Sequence, residues 1–358
     1  MVYQEQYAWV RWGRSRSCIF PILNGTRQGS VLSPALFSVY MDDLLHELRA
    51  LGVGCYVGGV YMGAVGFADD ILLLAPSRCA MKVMLAKCED FARRHNLMFS
   101  TDPDPKKSKS KCIFICGRNK NLVKPAALTL YGVDLPWVST ATHLGHELAE
   151  DGTMDTDVKG KRASFVTRST EIRETFGFAS PMEVLHAVKV YTCDFYGSML
   201  WDLGGDQVQQ LLNCWSTCVK LAWNVPRATR TYFVDHLLSG GLSSTRVDIM
   251  VRYLKFFRGL LNSPTREVLI MANIAARDVR SIVGKNLNFI QTESGKDPWT
   301  ISPGALRSAL TSQKAEVPQE DSWRLPYLAR LLEERGQLYY DCKETKGHSA
   351  LIDSLCIN

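Results

Sequence analysis

No apolar run in the sequence approaches the roughly 20 residues that a membrane-spanning helix needs. Nor does the chain open on the basic-then-apolar pattern of a secretory leader. The expectation is a soluble or peripherally bound protein of an intracellular compartment, nucleus or cytoplasm, that is not secreted and has no membrane partner. A disulfide framework is equally out of place, because the eleven cysteines are odd in number and scattered, which suits free thiols in a reducing environment. Zinc-ligand geometry is missing too. Cys112 with Cys116 and Cys214 with Cys218 have i, i+4 spacing but no second pair at the right distance, and Cys342, His348 and Cys356 lack a fourth partner. There is no internal repeat, no low-complexity tract, and no aspartate among the first 24 residues.

What remains is a chain of 358 residues, 46% hydrophobic, long enough to bury a sizeable core in two or three domains. Lys and Arg outnumber Asp and Glu by 42 to 36, a formal charge of +6 that permits a polyanionic partner without demanding one. The sequence can be read outward from Gly66-Phe67-Ala68-Asp69-Asp70 and the apolar run Ile71 to Ala75 behind it. Two β-type runs flanking a tight Asp-Asp turn predict a hairpin with both acids at its tip, exposed at one end of a sheet, and both arms buried. Desolvating two carboxylates beside a buried run is costly unless a cation or partner compensates, and a divalent metal is the first candidate.

Upstream, residues 1–20 mix Trp9, Trp12, Arg11, Arg14 and Arg16 without a clear period, as an edge strand or loop would. A Gly-bracketed polar loop, Asn24 to Ser30, leads to Ser33-Pro34, an N-cap and a first-turn proline for a helix over about 34–51. Phe37, Met41, Leu44 and Leu48 form its core face, and Asp42-Asp43, about 100° apart around the helix, read as a solvated pair. Glycines between aromatics and valines over 52–63 suit a loop and short strand. Ser77 caps a second helix to about Asn96, with Val83 or Met84, Cys88 and Phe91 inward and Arg93-Arg94 at its C-terminal end. The basic loop over 102–111 leads into a strand from Cys112 to Cys116, and short strands near 128–131 and 143–148 close an α+β segment at about Gly152.

Beyond Asp155 the pattern turns helical. Over 158–177, Lys159, Lys161, Arg162, Arg168 and Arg173 interleave with Phe165, Val166, Ile172 and Phe176, a basic amphipathic helix or two. Ser180-Pro181-Met182-Glu183 is a capping box for a helix striped by Val184, Val188, Tyr191, Phe195 and Met199. Asp206 caps the next, with Val208, Leu211, Trp215 and Val219 inward. Further helices are expected at 245–261, 265–284, 303–313 and 323–341, with 284–303 and 319–321 as polar linkers. These stripes read as helix-bundle core.

Five short blocks then fall in one order: Asn24-Gly25-Thr26-Arg27-Gln28-Gly29-Ser30-Val31-Leu32-Ser33-Pro34; Leu36-Phe37; Phe67-Ala68-Asp69-Asp70; Lys109-Ser110-Lys111; and His143-Leu144-Gly145. The series resembles the reverse transcriptases of LINE-type (non-LTR) retrotransposons. The resemblance implies an α+β fold: a partial polymerase palm, antiparallel sheet with helices, over 1–152, an all-α thumb over 153–226 and a helical C-terminal tail over 227–358. It implies RNA-directed DNA polymerase chemistry with two Mg²⁺ ions, an RNA template, a DNA primer and deoxynucleoside triphosphates. Asp69 and Asp70 would be the metal ligands. Arg27, Gln28, Gly29, Ser30, Phe67 and Ala68 would line the nucleotide and template side. Lys111 would lie near the departing pyrophosphate, with Lys109 fitting the same motif, while Lys107, Lys109, Lys161, Arg162 and Arg168 would meet the nucleic-acid backbone. Such sites draw a third carboxylate from an Ala-Phe-Asp-like block several tens of residues before the Arg-Gln-Gly loop. With 24 residues before Gly25 and no aspartate among them, the expectation is a chain truncated at its N-terminus and inactive alone. The alternatives are a non-catalytic nucleic-acid-binding remnant of such an element, and a group II intron maturase-like protein.

Overall fold

The computed structural model describes residues 6–22, 25, 29–102, 104, 106–115, 124–193, 195–238 and 242–312, with Gln319 and Arg330 beyond, and for Asp235 and His236 the backbone alone. Arg27, Gln28, Cys116, Cys342, His348 and Cys356 lie outside the described residues, as does nearly all of the helix expected over 323–341. The chain divides into two compact units, Met1–Ser139 and Thr140–Asn358. It is a mixture of helices and small antiparallel sheets.

In the first unit, β1 (Gln6–Ala8), β2 (Arg11–Trp12), β3 (Ser15–Arg16) and β4 (Phe20–Ile22) make a nested ribbon, β1 pairing with β4 and β2 with β3. Helix α1 (Ser33–Ala50) follows with Pro34 in its first turn. Ser33 is the first helical residue and not the cap: Leu32 takes that place, and no side-chain oxygen caps the helix. Strands β5 (Tyr56–Val57) and β6 (Val60–Tyr61) are joined by Gly58-Gly59 at φ +57° and +80°, a left-handed turn that glycine enters without steric cost. Hairpin β7 (Ala64–Phe67) and β8 (Asp70–Leu73) comes next, then α2 (Arg78–Arg94), whose Ser77 hydroxyl accepts from Ala80 N–H at 3.2 Å. Strands β9 (Leu128–Leu130) and β10 (Val133–Leu135) close the unit.

Met41, Leu44 and Leu48 of α1 interlock with Met84, Cys88 and Phe91 of α2, and Ala64, Ile71 and Leu73 of the hairpin pack on them partly buried. Truncating a fully buried Leu44 or Phe91 to alanine costs roughly 2–5 kcal/mol by transfer and cavity terms. A smaller cluster joins Leu85 to Leu128, Leu130 and Leu135. Among the described residues every sheet is a small antiparallel one of two strands. One strand expectation fails in this unit. Residues 112–115 make no strand, because Cys112 forms only an isolated parallel bridge to Trp137.

The second unit opens with hairpin β11 (Thr140–His143) and β12 (His146–Ala149) and continues as α3 (Asp155–Thr175), α4 (Pro181–Thr192), a 3₁₀ turn at Ser198–Leu200, α5 (Asp206–Ala222), α6 (Tyr232–Leu237), α7 (Thr245–Leu261), α8 (Arg266–Arg277), α9 (Ile282–Ser294) and α10 (Pro303–Ser312). One core runs through it, from Val158 and Phe165 through Leu185, Leu211, Trp215 and Val219 to Leu254, Phe257, Ile290 and Leu306. The capping box forms in both directions, Ser180 Oγ accepting from Glu183 N–H and Glu183 Oε2 from Ser180 N–H.

Three corrections apply to this unit. Helix α4 stops at Thr192, so Phe195 and Met199 reach the core from beyond the helix; Tyr191 within it and Val166 of α3 are exposed. Gly205, not Asp206, precedes α5, with no side-chain cap. The stretch taken as a polar linker holds α9: Ser281 Oγ caps it, and fully buried Asn286 donates to Trp201 C=O and accepts from Leu203 N–H, both at 2.8 Å.

Candidate active site

Hairpin β7–β8 pairs Ala64 with Leu73, Val65 with Leu72, Gly66 with Ile71 and Phe67 with Asp70, leaving Ala68 and Asp69 as a two-residue turn. Opposed residues share a face and successive ones alternate. Ala64, Gly66, Ile71 and Leu73 therefore face the helices, while Val65, Phe67, Asp70 and Leu72 face away. Gly66 has a steric reason to be glycine: an added Cβ would stand 3.3 Å from the Leu45 side chain of α1. Ala68 holds φ +50°, the left-handed first position of a tight hairpin turn, which costs an L-residue about 1–2 kcal/mol.

The expected acid pair is thus at the hairpin tip, Asp69 in the turn and Asp70 opening β8. Both acids are exposed, as expected of the tip, but the arms are not buried as expected, since Val65 and Phe67 are 43% and 65% exposed. The desolvation argument for a compensating cation therefore does not apply. The argument that does apply is donor chemistry: two adjacent exposed carboxylates with no ion pair or hydrogen bond among the described residues are hard oxygen ligands of the type a divalent cation takes. Among the described residues no cluster of three or more Asp, Glu, His or Cys side chains is placed to hold a metal. Asp42, by contrast, sits on exposed α1 beside His46 Nδ1 at 3.4 Å, in keeping with a solvated role.

Of the other expected site residues, Gly29 is exposed at φ +84°, and Ser30 C=O accepts from Ser33 N–H at 3.3 Å where the chain turns into α1. Lys107, Lys109 and Lys111 are all exposed on one loop, folded over Asp104, whose carboxylate and carbonyl accept from Lys106 and Lys107 N–H. On α3 of the second unit, Arg168 is exposed. Lys161 and Arg162 are half-buried and already engaged, Lys161 over the Tyr196 ring at 6.0 Å and Arg162 donating to Gln210 Oε1.

A polar cluster in the second unit escaped sequence reasoning. Asp157, 4% exposed in the first turn of α3, accepts from Trp201 Nε1–H at 2.9 Å and from Glu147 N–H at 3.3 Å, with His146 Nδ1 3.5 Å away. His146 stacks on Tyr196 at 4.9 Å and fills the space over Gly197, where a Cβ would collide with the imidazole. The cluster fixes the turn Leu144-Gly145 of β11–β12 to α3, so the last of the five sequence blocks is braced by buried polar groups. A helix-opening acid gave no sign in the sequence that it would be buried.

Residues 3–148 match the reverse transcriptase (RNA-dependent DNA polymerase) family. The retrovirus-related Pol polyprotein from type-2 retrotransposable element R2DM of Drosophila melanogaster is 40% identical over 78 residues, 22% of this chain and 7% of that polyprotein. The corresponding polyprotein from type-1 retrotransposable element R2 of Nasonia vitripennis is 33% identical over 98 residues, 27% of this chain and 9% of its own length. The RNA-directed DNA polymerase from mobile element jockey of Drosophila funebris is 26% identical over 184 residues, 50% of this chain and 19% of that protein. The chain thus spans less than a fifth of each of these relatives. The five ordered blocks, the acid-tipped hairpin and the match over 3–148 point one way: residues 3–148 match the reverse transcriptase family and are similar to the polymerase polyproteins of the R2 and jockey elements, non-LTR retrotransposons.

Proposed function

We propose that the chain contributes the carboxylate hairpin of an RNA-directed DNA polymerase, in which a primer 3′-hydroxyl attacks the α-phosphate of a deoxynucleoside triphosphate and pyrophosphate leaves. The carrying observation is the exposed pair Asp69 and Asp70, without a partner among the described residues, at the tip of a register-fixed hairpin. Their carboxylates would hold Mg²⁺, and two such ions supply the clamp on attacking and leaving oxygens that in-line displacement needs. Phe67 and Ala68, next to the pair in the hairpin, would serve the nucleotide side, the role the resemblance also gives Arg27, Gln28, Gly29 and Ser30. Lys111, or Lys109, offsets the charge developing on the pyrophosphate. Exposed Lys107, Lys109, Lys159 and Arg168 grip template and primer phosphates without reading sequence, a contact that weakens steeply with salt. Lys161 and Arg162 contribute less, their side chains being held by Tyr196 and Gln210.

Among the described residues two carboxylates meet here, one fewer than such sites use, and on that reading the chain alone binds nucleic acid without extending a primer. The test is primer extension by the purified chain with Mg²⁺, template-primer and deoxynucleotides, run beside Asp69→Asn. No extension by either protein, with template-primer still bound in a salt-sensitive way, is the expected result. Extension that Asp69→Asn abolishes would overturn the incomplete-site reading and establish a working polymerase. Binding indifferent to salt would remove the nucleic-acid reading altogether.

A further inference from the structure

The ribbon over residues 6–22 buries nothing: every residue in it is exposed or half-exposed, with Tyr7 at 62%, Trp9 at 54% and Trp12 at 86%. A two-stranded ribbon without a core beneath it is marginal in water. Its sequence adds a further cost, because Arg11 stands directly opposite Arg16 and like charges across a strand pair repel. With Arg14 in the turn and no acid anywhere in the stretch, these three arginines equal half of the chain's net charge of +6.

The pairing offset between β1–β4 and β2–β3 places one extra residue on the return strand, a bulge between Arg16 and Phe20, so the outgoing strand keeps its alternation. Tyr7, Trp9 and Arg11 share one face, with Arg16 beside Arg11. Ala8, Val10, Trp12 and Phe20 share the other. Residues two apart on a strand stand about 6.7 Å from each other, and Tyr7 and Trp9, each more than half exposed, make no ring contact among the described residues. Flat, unstacked aromatics alternating with a repelling guanidinium pair are complementary to a ligand that brings π-faces and phosphates together.

We propose that this ribbon is a platform for single-stranded nucleic acid, bases stacking on Tyr7 and Trp9 and phosphates held by Arg11, Arg14 and Arg16. The surface is separate from the residues assigned above to catalysis and to the template-primer backbone, and it requires no polymerase activity. A duplex does not fit it, since paired and stacked bases have no free faces to offer.

Fluorescence anisotropy of the full chain with short unstructured RNA and DNA oligonucleotides, without deoxynucleotides, tests the assignment. Trp9→Ala is expected to weaken single-strand binding about fivefold or more, the scale of one lost stack. Arg11→Glu with Arg16→Glu is expected to weaken it about tenfold or more and to flatten the salt slope. Trp12→Ala, on the opposite face, should leave affinity within about twofold of the wild type, as should all of these variants with blunt duplex. Because none of these side chains is buried, the thermal melting curves should superimpose. Wild-type single-strand affinity in Trp9→Ala and in the double arginine variant would overturn the proposal. So would an equal loss in Trp12→Ala, or variants that change the oligomeric state while nucleic-acid affinity stands. Asp69→Asn separates this idea from the catalytic one, since it leaves single-strand binding intact whether or not extension occurs.

Discussion

At the scale of single residues, Asp248 shows how a carboxylate in the helical unit is tied down. Lys189 Nζ lies 2.7 Å from Oδ2, and Arg307 Nη1 and Ser243 Oγ reach Oδ1 at 2.7 and 2.8 Å, joining α4, α7 and α10. Burial by itself would raise the carboxyl, but the hydrogen bonds from Lys189 and Ser243, the Lys189 charge and the Arg307 bond outweigh it and hold it below the usual aspartate value. The folded state therefore binds that proton less tightly than the unfolded chain. The stabilisation is present above the ordinary aspartate range and is lost as pH falls through and below it. Thermal melting across the acid range should show a steep loss in the wild type and a shallower one in Asp248→Asn, which at neutral pH should be less stable by roughly 2 kcal/mol for its lost charged hydrogen bonds. The thiols sort by the same logic. Burial pushes Cys88 up to about 12 and both Cys112 and Cys218 to about 11, whereas Cys18 and Cys79 are exposed. Among the described cysteines, mass-spectrometric mapping at pH 8 should find Cys18 and Cys79 alkylated first and Cys88 protected until unfolding. The acid pair was legible in the sequence because adjacent carboxylates between two apolar strand-like runs have few other uses. Asp157 was not, because burial of a helix-opening acid depends on Trp201, 44 positions away.

At the scale of elements, legibility tracked local signals. Helix α7 spans the expected 245–261, and α2 and α4 begin at their Ser77 and Ser180 caps, since an apolar stripe and a capping side chain are both encoded within a few residues. Helix α9 was missed because Gly284, Asn286 and Asn288 look like loop residues. Tertiary contacts make them helical: Asn286 is satisfied by the backbone at 201–203, and Gly284 lies so close to Asp278 C=O that no Cβ fits. Removing one signal should have a bounded effect. Ser180→Ala removes the hydroxyl that accepts from Glu183 N–H, while the backbone N–H at 180 still donates to Glu183 Oε2, and should destabilise the helical unit by about 1 kcal/mol in chemical denaturation. Gly284→Ala should cost more, because its Cβ would meet backbone and not a side chain that can swing away.

For the whole molecule, the decisive feature is that the large core of the helical unit and the two smaller clusters of the first unit share no residue. Unfolding should therefore appear as two calorimetric transitions, and Leu44→Ala should lower one while Leu254→Ala lowers the other. A single transition shifted by both variants would contradict the division. No helix among the described residues is long and apolar enough to cross a membrane.

The pairing of β7 with β8 also imposes a parity on this stretch of chain. On the first arm even steps from Ala64 point toward Leu45 and its neighbours, on the second arm odd steps do, and the two-residue turn sets that exchange. One residue inserted or deleted between Phe67 and Ile71 would invert the second arm, turning Asp70 into the apolar layer and Ile71 into water. Two residues would restore the arrangement with a longer tip. Drift in length here is thus quantised, and a frame of sequence variants around Asp69 should show losses or gains in pairs, never singly, wherever the outward carboxylate is kept.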